Sequence, residues 1–202
     1  IDSNNFSNIT MSIYISQIKP YLQSTKNNKI NDNIVNIGLA FVDCLTGENG
    51  VLAINNSPSG DISIALDELL KILTIKNPNE LLIYIENFEI SDEDLINALH
   101  LFNYQYKISR IMGNENSKIE EKYCKLKYQI ELFENIYIKH KGLTDILQQL
   151  DIDGPEHYYS RISLCMLIDF ILAHDKSIIE KLEKPEIILN SEKYLMLANN
   201  CL

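Results

Sequence analysis

The chain has 202 residues, enough for one large domain or two small ones, and 46% of them are hydrophobic, so a true core can form and disorder throughout is excluded. Eighteen basic residues against 28 acidic ones give a formal net charge of -10. That balance argues against a free-standing grip on nucleic-acid phosphates or on an anionic membrane surface, both of which need clustered Lys and Arg. Asn and Ile are over-used and Trp is absent, a coding bias toward A/T-rich codons that carries little physical meaning.

Cys44, Cys124, Cys165 and Cys201 form no CxxC clip, and the four histidines are equally scattered, so the spacing supports no structural zinc site. Reduced, mostly buried thiols point to an intracellular chain, in cytoplasm, nucleus or organelle. Sequons at Asn5, Asn8 and Asn55 are what chance supplies in so Asn-rich a sequence. The chain starts at Ile1 without an initiator Met and shows no signal peptide. The apolar run from Leu164 to Ala173, interrupted by Asp169, is too short to span a bilayer.

Met11 to Ile18 alternates Ile13 and Ile15 with Ser12, Tyr14 and Ser16, a strand pattern. Ser24 to Asn33 is polar and low in complexity, and reads as an inserted surface loop. Ile34 to Leu45 is apolar nearly throughout, as expected of a central strand buried on both faces. Thr46 to Gly50 is a reversal, returning Val51 to Ile54 as an antiparallel partner. Ile62, Ala65, Leu66, Leu69, Leu70 and Leu73 mark an amphipathic helix over Asp61 to Ile75.

Glu80 to Glu86 is a short buried strand. Ser91 can cap the amide of Asp94, Ile90 can staple onto Leu95, and Leu95, Ala98, Leu99 and Phe102 form the buried stripe of the next helix. Tyr104 to Ile111 is another strand. The order β-β-β-α-β-α-β, with helical crossovers between later strands, predicts a mixed sheet that is antiparallel first and parallel after. This arrangement resembles the ribonuclease-H-like architecture.

From Lys118 the character changes. Ile119, Tyr123, Leu126, Ile130 and Phe133 mark a long helix, Leu143 to Leu150 a short one, and His157 to His174 a helix apolar almost all round. Glu186 to Leu189 and Tyr194 to Leu197 read as short extended pieces, and Lys139 to Gly142 as the domain boundary.

A ribonuclease-H-like sheet raises the alternative of a metal-dependent nuclease, which needs several carboxylates converging on two magnesium ions. Asp43 and Glu86, each at a strand end, could meet at one sheet edge, with Asp61, Glu68, Asp92 and Asp94 weaker candidates; the first strand supplies no acid. The other reading of Asp43 is that it hydrogen-bonds the turn backbone at Thr46 and Gly47. Asp169, inside an apolar helix, is costly to bury unpaired, so it is expected to face a groove or to pair with a Lys or Arg from a neighbouring element, Arg161 two turns back being one option and a partner outside the chain another. The glycines form no phosphate-binding loop, and Cys165 reads as core, not nucleophile.

Ile37 to Gly47, IGLAFVDCLTG, resembles the signature of the connector domain of MutS-family mismatch-repair proteins: a glycine, a small residue, an apolar pair, an Asp and a Thr-Gly turn. The NPNELLIY stretch from Asn77 and the passage from Asn190 to Leu197 are similar to the family in order and spacing. Ala198 departs from the family's acid, CLTGENG departs from the commoner Ser-Thr-Gly-Glu-Phe turn, and the chain stops at Leu202 where the family continues into a lever helix. The resemblance implies a connector over residues 1–140 and the start of a helical core and lever domain over 141–202. It makes Gly38, Asp43, Thr46 and Gly47 a structural signature and implies no catalytic, cofactor or metal residue in this segment. The segment would then be no enzyme; ATP and magnesium would belong to a full-length parent. Its partners would be a MutL-like protein and the other MutS domains, with DNA reached only through the parent and no membrane.

Overall fold

The computed structural model describes residues 8–18, 34–55, 62–111, 121–137 and 145–188. Among these, β1 (Ile9–Ile18), β2 (Ile34–Asp43), β3 (Asn49–Asn55), β4 (Glu80–Glu86), β5 (Gln105–Ile111) and β6 (Glu186–Ile187) form one sheet in the order β5-β4-β1-β2-β3-β6. β2 is antiparallel to both neighbours, and the β1–β4, β4–β5 and β3–β6 pairs are parallel. With helices on both faces this is the ribonuclease-H-like mixed sheet.

Each strand of the centre has two buried faces. Met11, Ile13 and Ile15 of β1 face helices α1 (Ile62–Lys76) and α2 (Asp92–Ala98), whose Ala65, Leu66, Leu69, Leu73 and Leu95 complete that core. The polar alternates Ser12, Tyr14 and Ser16 are equally buried, under α5 (Tyr158–His174). Small side chains let that helix come close: Ser163 Oγ donates to the Ser12 carbonyl at 2.7 Å and lies 3.1 Å from Ser12 Oγ. Helices α3 (Leu126–Ile136) and α4 (Ile146–Gln149) fill the rest of this face through Phe133, Ile146 and Leu147.

The expected boundary at Lys139 to Gly142, the loop from Ser24, and the passage from Asn190 lie outside the described residues. Beyond that boundary the chain stays on the sheet. α5 packs across β2 and β1, and β6 then extends the sheet beyond β3. α5 is buried almost throughout from Ser160 to Ile168, as its all-round apolarity requires.

Two expectations are corrected. The long helix over 119–133 is broken at Lys125, whose extended backbone separates a 3-10 turn at Glu121–Cys124 from α3. The break turns Lys122 and Tyr123 toward Asp169 and leaves Leu126 exposed. Phe102, expected in the buried stripe, is 68% exposed. α2 stops at Ala98, His100 turns left-handed at φ 50, and the chain resumes with Leu101 in the core and Phe102 outside.

At the start of α2, Ser91 Oγ accepts the Asp94 amide at 3.0 Å and donates to Asp94 Oδ2 at 2.6 Å, while Ile90 and Leu95 pack into the same core. Ser91→Ala should therefore lower stability by about 1 kcal/mol, read as a shifted urea midpoint with unchanged slope.

Candidate functional site

The four signature residues occupy two places. Gly38 lies mid-strand in β2, paired with Tyr14, directly beneath the first turn of α5. A Cβ at this position would overlap the Tyr159 carbonyl and the Ser160 amide nitrogen. Asp43, Thr46 and Gly47 build the β2–β3 turn. Asp43 Oδ1 accepts the Leu45 and Thr46 amides at 2.8 and 3.1 Å, and the Asp43 carbonyl accepts the Gly47 amide at 2.9 Å. Thr46 Oγ1 accepts the Glu48 amide at 3.1 Å. Gly47 is left-handed at φ +82, a conformation that suits glycine.

Asp43 and Glu86 do not meet. Asp43 pairs with Ile9 at one end of β1, while Glu86 pairs with Ser16 at the other. Seven residue steps along β1 separate them, on the order of 23 Å, so the two cannot share a metal ion. Asp61 is outside the described residues, and Asp94 is engaged by Ser91. Among the described residues, no three His, Cys, Asp or Glu side chains converge to hold a metal.

Glu86 instead anchors a polar cluster at the carboxyl ends of parallel β1 and β4, where open α/β sheets present ligands. Its Oε2 accepts from Tyr14 at 2.7 Å and from Ser16 at 3.1 Å. Tyr159 stacks on Tyr14 with centroids 6.0 Å apart, and Tyr158 meets Tyr159 edge-on at 5.1 Å. Burial, then the Glu86 bond, raises the Tyr14 phenol far above its ordinary value, and burial followed by Cys124 pushes Tyr158 up to about 12. Partial desolvation likewise raises the Cys124 thiol. The cluster thus sets two fixed hydroxyl donors, Tyr14 and Ser16, on one oxygen of Glu86.

Neither Tyr14 nor Ser16 was legible as a site residue. The signal was present in the polar alternates of β1, whose alternation marks a strand but does not say that α5 covers them. Asp169 does pair with a lysine from a neighbouring element, and of the options named, Arg161 is not its partner. Asp169 takes Lys122 Nζ at 2.8 Å, Tyr123 OH at 2.7 Å and Tyr128 OH at 3.1 Å, all from the segment that leads into and through α3. Arg161 points elsewhere, donating from Nε to Gln129 Oε1 and from Nη1 to the carbonyls of Ile152 and Gly154.

No protein-family model matches the chain. Over 96% of its length the chain is 31% identical to a mutS homolog of Acanthamoeba polyphaga mimivirus, assigned by name to DNA mismatch repair. The chain spans 18% of that relative's length. The likeness to that mutS homolog runs across nearly all of this chain's residues.

Three solved structures are similar to the chain. RuvC of T. thermophilus with a Holliday junction substrate is 10% identical at a TM-score of 0.38, covering 82% of this chain and 96% of that one. The Fowlpox virus resolvase with its substrate Holliday junction is 13% identical at 0.34, covering 79% and 99%. RNase H1 of Halobacterium salinarum is 12% identical at 0.28, covering 52% and 86%. At such identities the likeness is one of fold. All three are enzymes by name, and the expectation that this segment is no enzyme does not stand beside them.

Among the described residues, no helix is long and apolar enough to cross a membrane.

Proposed function

We propose that the chain is the connector of a MutS-like mismatch-recognition protein. It relays conformational state between the ATPase and DNA-binding ends of the parent and presents a docking surface to a MutL-like partner. The observation that carries this reading is the 31% identity to the mimivirus mutS homolog, which extends over 96% of the chain. The build of the molecule supports it. A sheet covered on both faces, with its later helices and β6 folded back onto it, is suited to move as one body. A net charge of -10 favours protein surfaces over phosphate backbones. ATP and its magnesium would bind elsewhere in the parent, and DNA would be reached through it.

The test begins with the gene. A Walker motif, G-x-x-x-x-G-K-[ST], is expected downstream in the same reading frame, and its absence would sink the connector reading. The purified chain should then be incubated with Mg²⁺ or Mn²⁺ and either a four-way DNA junction or an RNA–DNA hybrid. Metal-dependent cleavage that is lost in Glu86→Gln would replace the connector reading with that of a nuclease.

A further inference from the structure

We infer that Asn49 is the joint that makes the stretch from Lys176 to Ile188 move with the sheet. Asn49 opens β3 opposite Val42 and is buried. Its Nδ2 donates to the Gly47 carbonyl at 3.1 Å and to the Glu183 carbonyl at 2.8 Å. Its Oδ1 accepts from the Tyr137 hydroxyl at 2.9 Å. One side chain thus ties together the β2–β3 turn, the residue that ends α3, and the run into β6.

The chemistry matches a carboxamide and no close substitute. Two carbonyls need two donors, and a phenol needs an acceptor; Asp, Ser and Leu each lack part of that set. Burial raises the Tyr137 phenol well above its ordinary value, so it remains a donor.

Neighbouring contacts reinforce the joint. Left-handed Gly47 lets the Lys181 backbone close onto the turn, where a Cβ would overlap it. Lys181 Nζ reaches the Leu45 carbonyl at 3.4 Å. Beyond it, Glu186 and Ile187 pair with Gly50 and Val51, and the Ile188 amide donates to the Val51 carbonyl at 2.9 Å. Any displacement of Ile188 would reach the sheet at this corner. Its meaning as a relay rests on the connector reading; the joint itself does not.

Hydrogen–deuterium exchange on the whole chain tests it, comparing the unmodified protein with Asn49→Asp and Tyr137→Phe. Asn49→Asp keeps the acceptor for Tyr137 and sets a carboxylate against two carbonyls. Exchange over 183–188 should accelerate at least about tenfold, while Met11 to Ile15 and Leu81 to Ile85 keep their protection. Tyr137→Phe should loosen the end of α3 and leave 183–188 unchanged. Unaltered exchange over 183–188 in Asn49→Asp, or equal loosening of the entire sheet, overturns the inference. Should Asn49→Asp not fold, Gly47→Ala carries the test, since it pushes Lys181 off the same turn and should give the same regional pattern. A gene without a Walker motif would sink the connector reading and leave the exchange pattern standing.

Discussion

Gly38→Val should lower the stability of the chain by about 3–5 kcal/mol, among the largest losses available to a single substitution here. Gly38 pairs with Tyr14 in the middle of the sheet, and the backbone of Tyr159 and Ser160 sits where its Cβ would be. A side chain could swing away from a new methyl group, but a helix backbone cannot. α5 must lift as a unit, and the contacts that seat it go with it: the Ser163 bonds to Ser12 and the stacking of Tyr159 on Tyr14. Valine's better strand propensity returns no more than about 1 kcal/mol, so the clash decides the sign. Urea unfolding measures it, and a loss below about 1 kcal/mol would mean that α5 does not lie this close.

Arg161→Met should cost about 3–4 kcal/mol by the same measurement. Arg161 is buried, and its guanidinium satisfies three acceptors: Gln129 Oε1 at 3.0 Å, the Ile152 carbonyl at 2.6 Å and the Gly154 carbonyl at 2.9 Å. Burial lowers its pKa from the ordinary value, and these acceptors offset the cost of keeping the charge inside. Methionine fills much of the volume but removes the guanidinium from all three oxygens; the Gly154 carbonyl keeps the His157 amide at 3.1 Å. Arg161→Lys should recover only part of the loss, because one ammonium cannot reproduce the planar fork that reaches α3 and the turn at 152–154 together. If Arg161→Met proves as stable as the parent, the guanidinium is not what holds that turn to α5.

The two residues were unequally legible. Gly38 stood out in the sequence as part of a family-like signature, yet nothing local to β2 says why a glycine is needed there. The reason lies more than a hundred residues away, in the backbone of Tyr159. Arg161, two turns before Asp169 on the same helix, is a partner the sequence permits. The break at Lys125 decided otherwise, bringing Lys122, Tyr123 and Tyr128 to the carboxylate. Asp43 and Glu86 looked comparable as acids at strand ends. Only the pairing register showed that they sit at opposite ends of β1.

What the sequence determined by itself is local in origin. The continuous apolar run of β2, the bounded run of β4 and the helical spacing in α1 follow from side-chain periodicity. The Ser91 cap and the Asp43 turn follow from hydrogen bonds that span two or three residues. The tertiary structure decided whatever depends on which distant segments meet. It put α5 over the polar alternates of β1, joined β6 to β3, and buried Asn49 among the turn, Tyr137 and Glu183. Periodicity says that a face is buried, but not what buries it. A carboxamide or a glycine carries no sign of its partners until packing brings their backbones within a hydrogen bond's length.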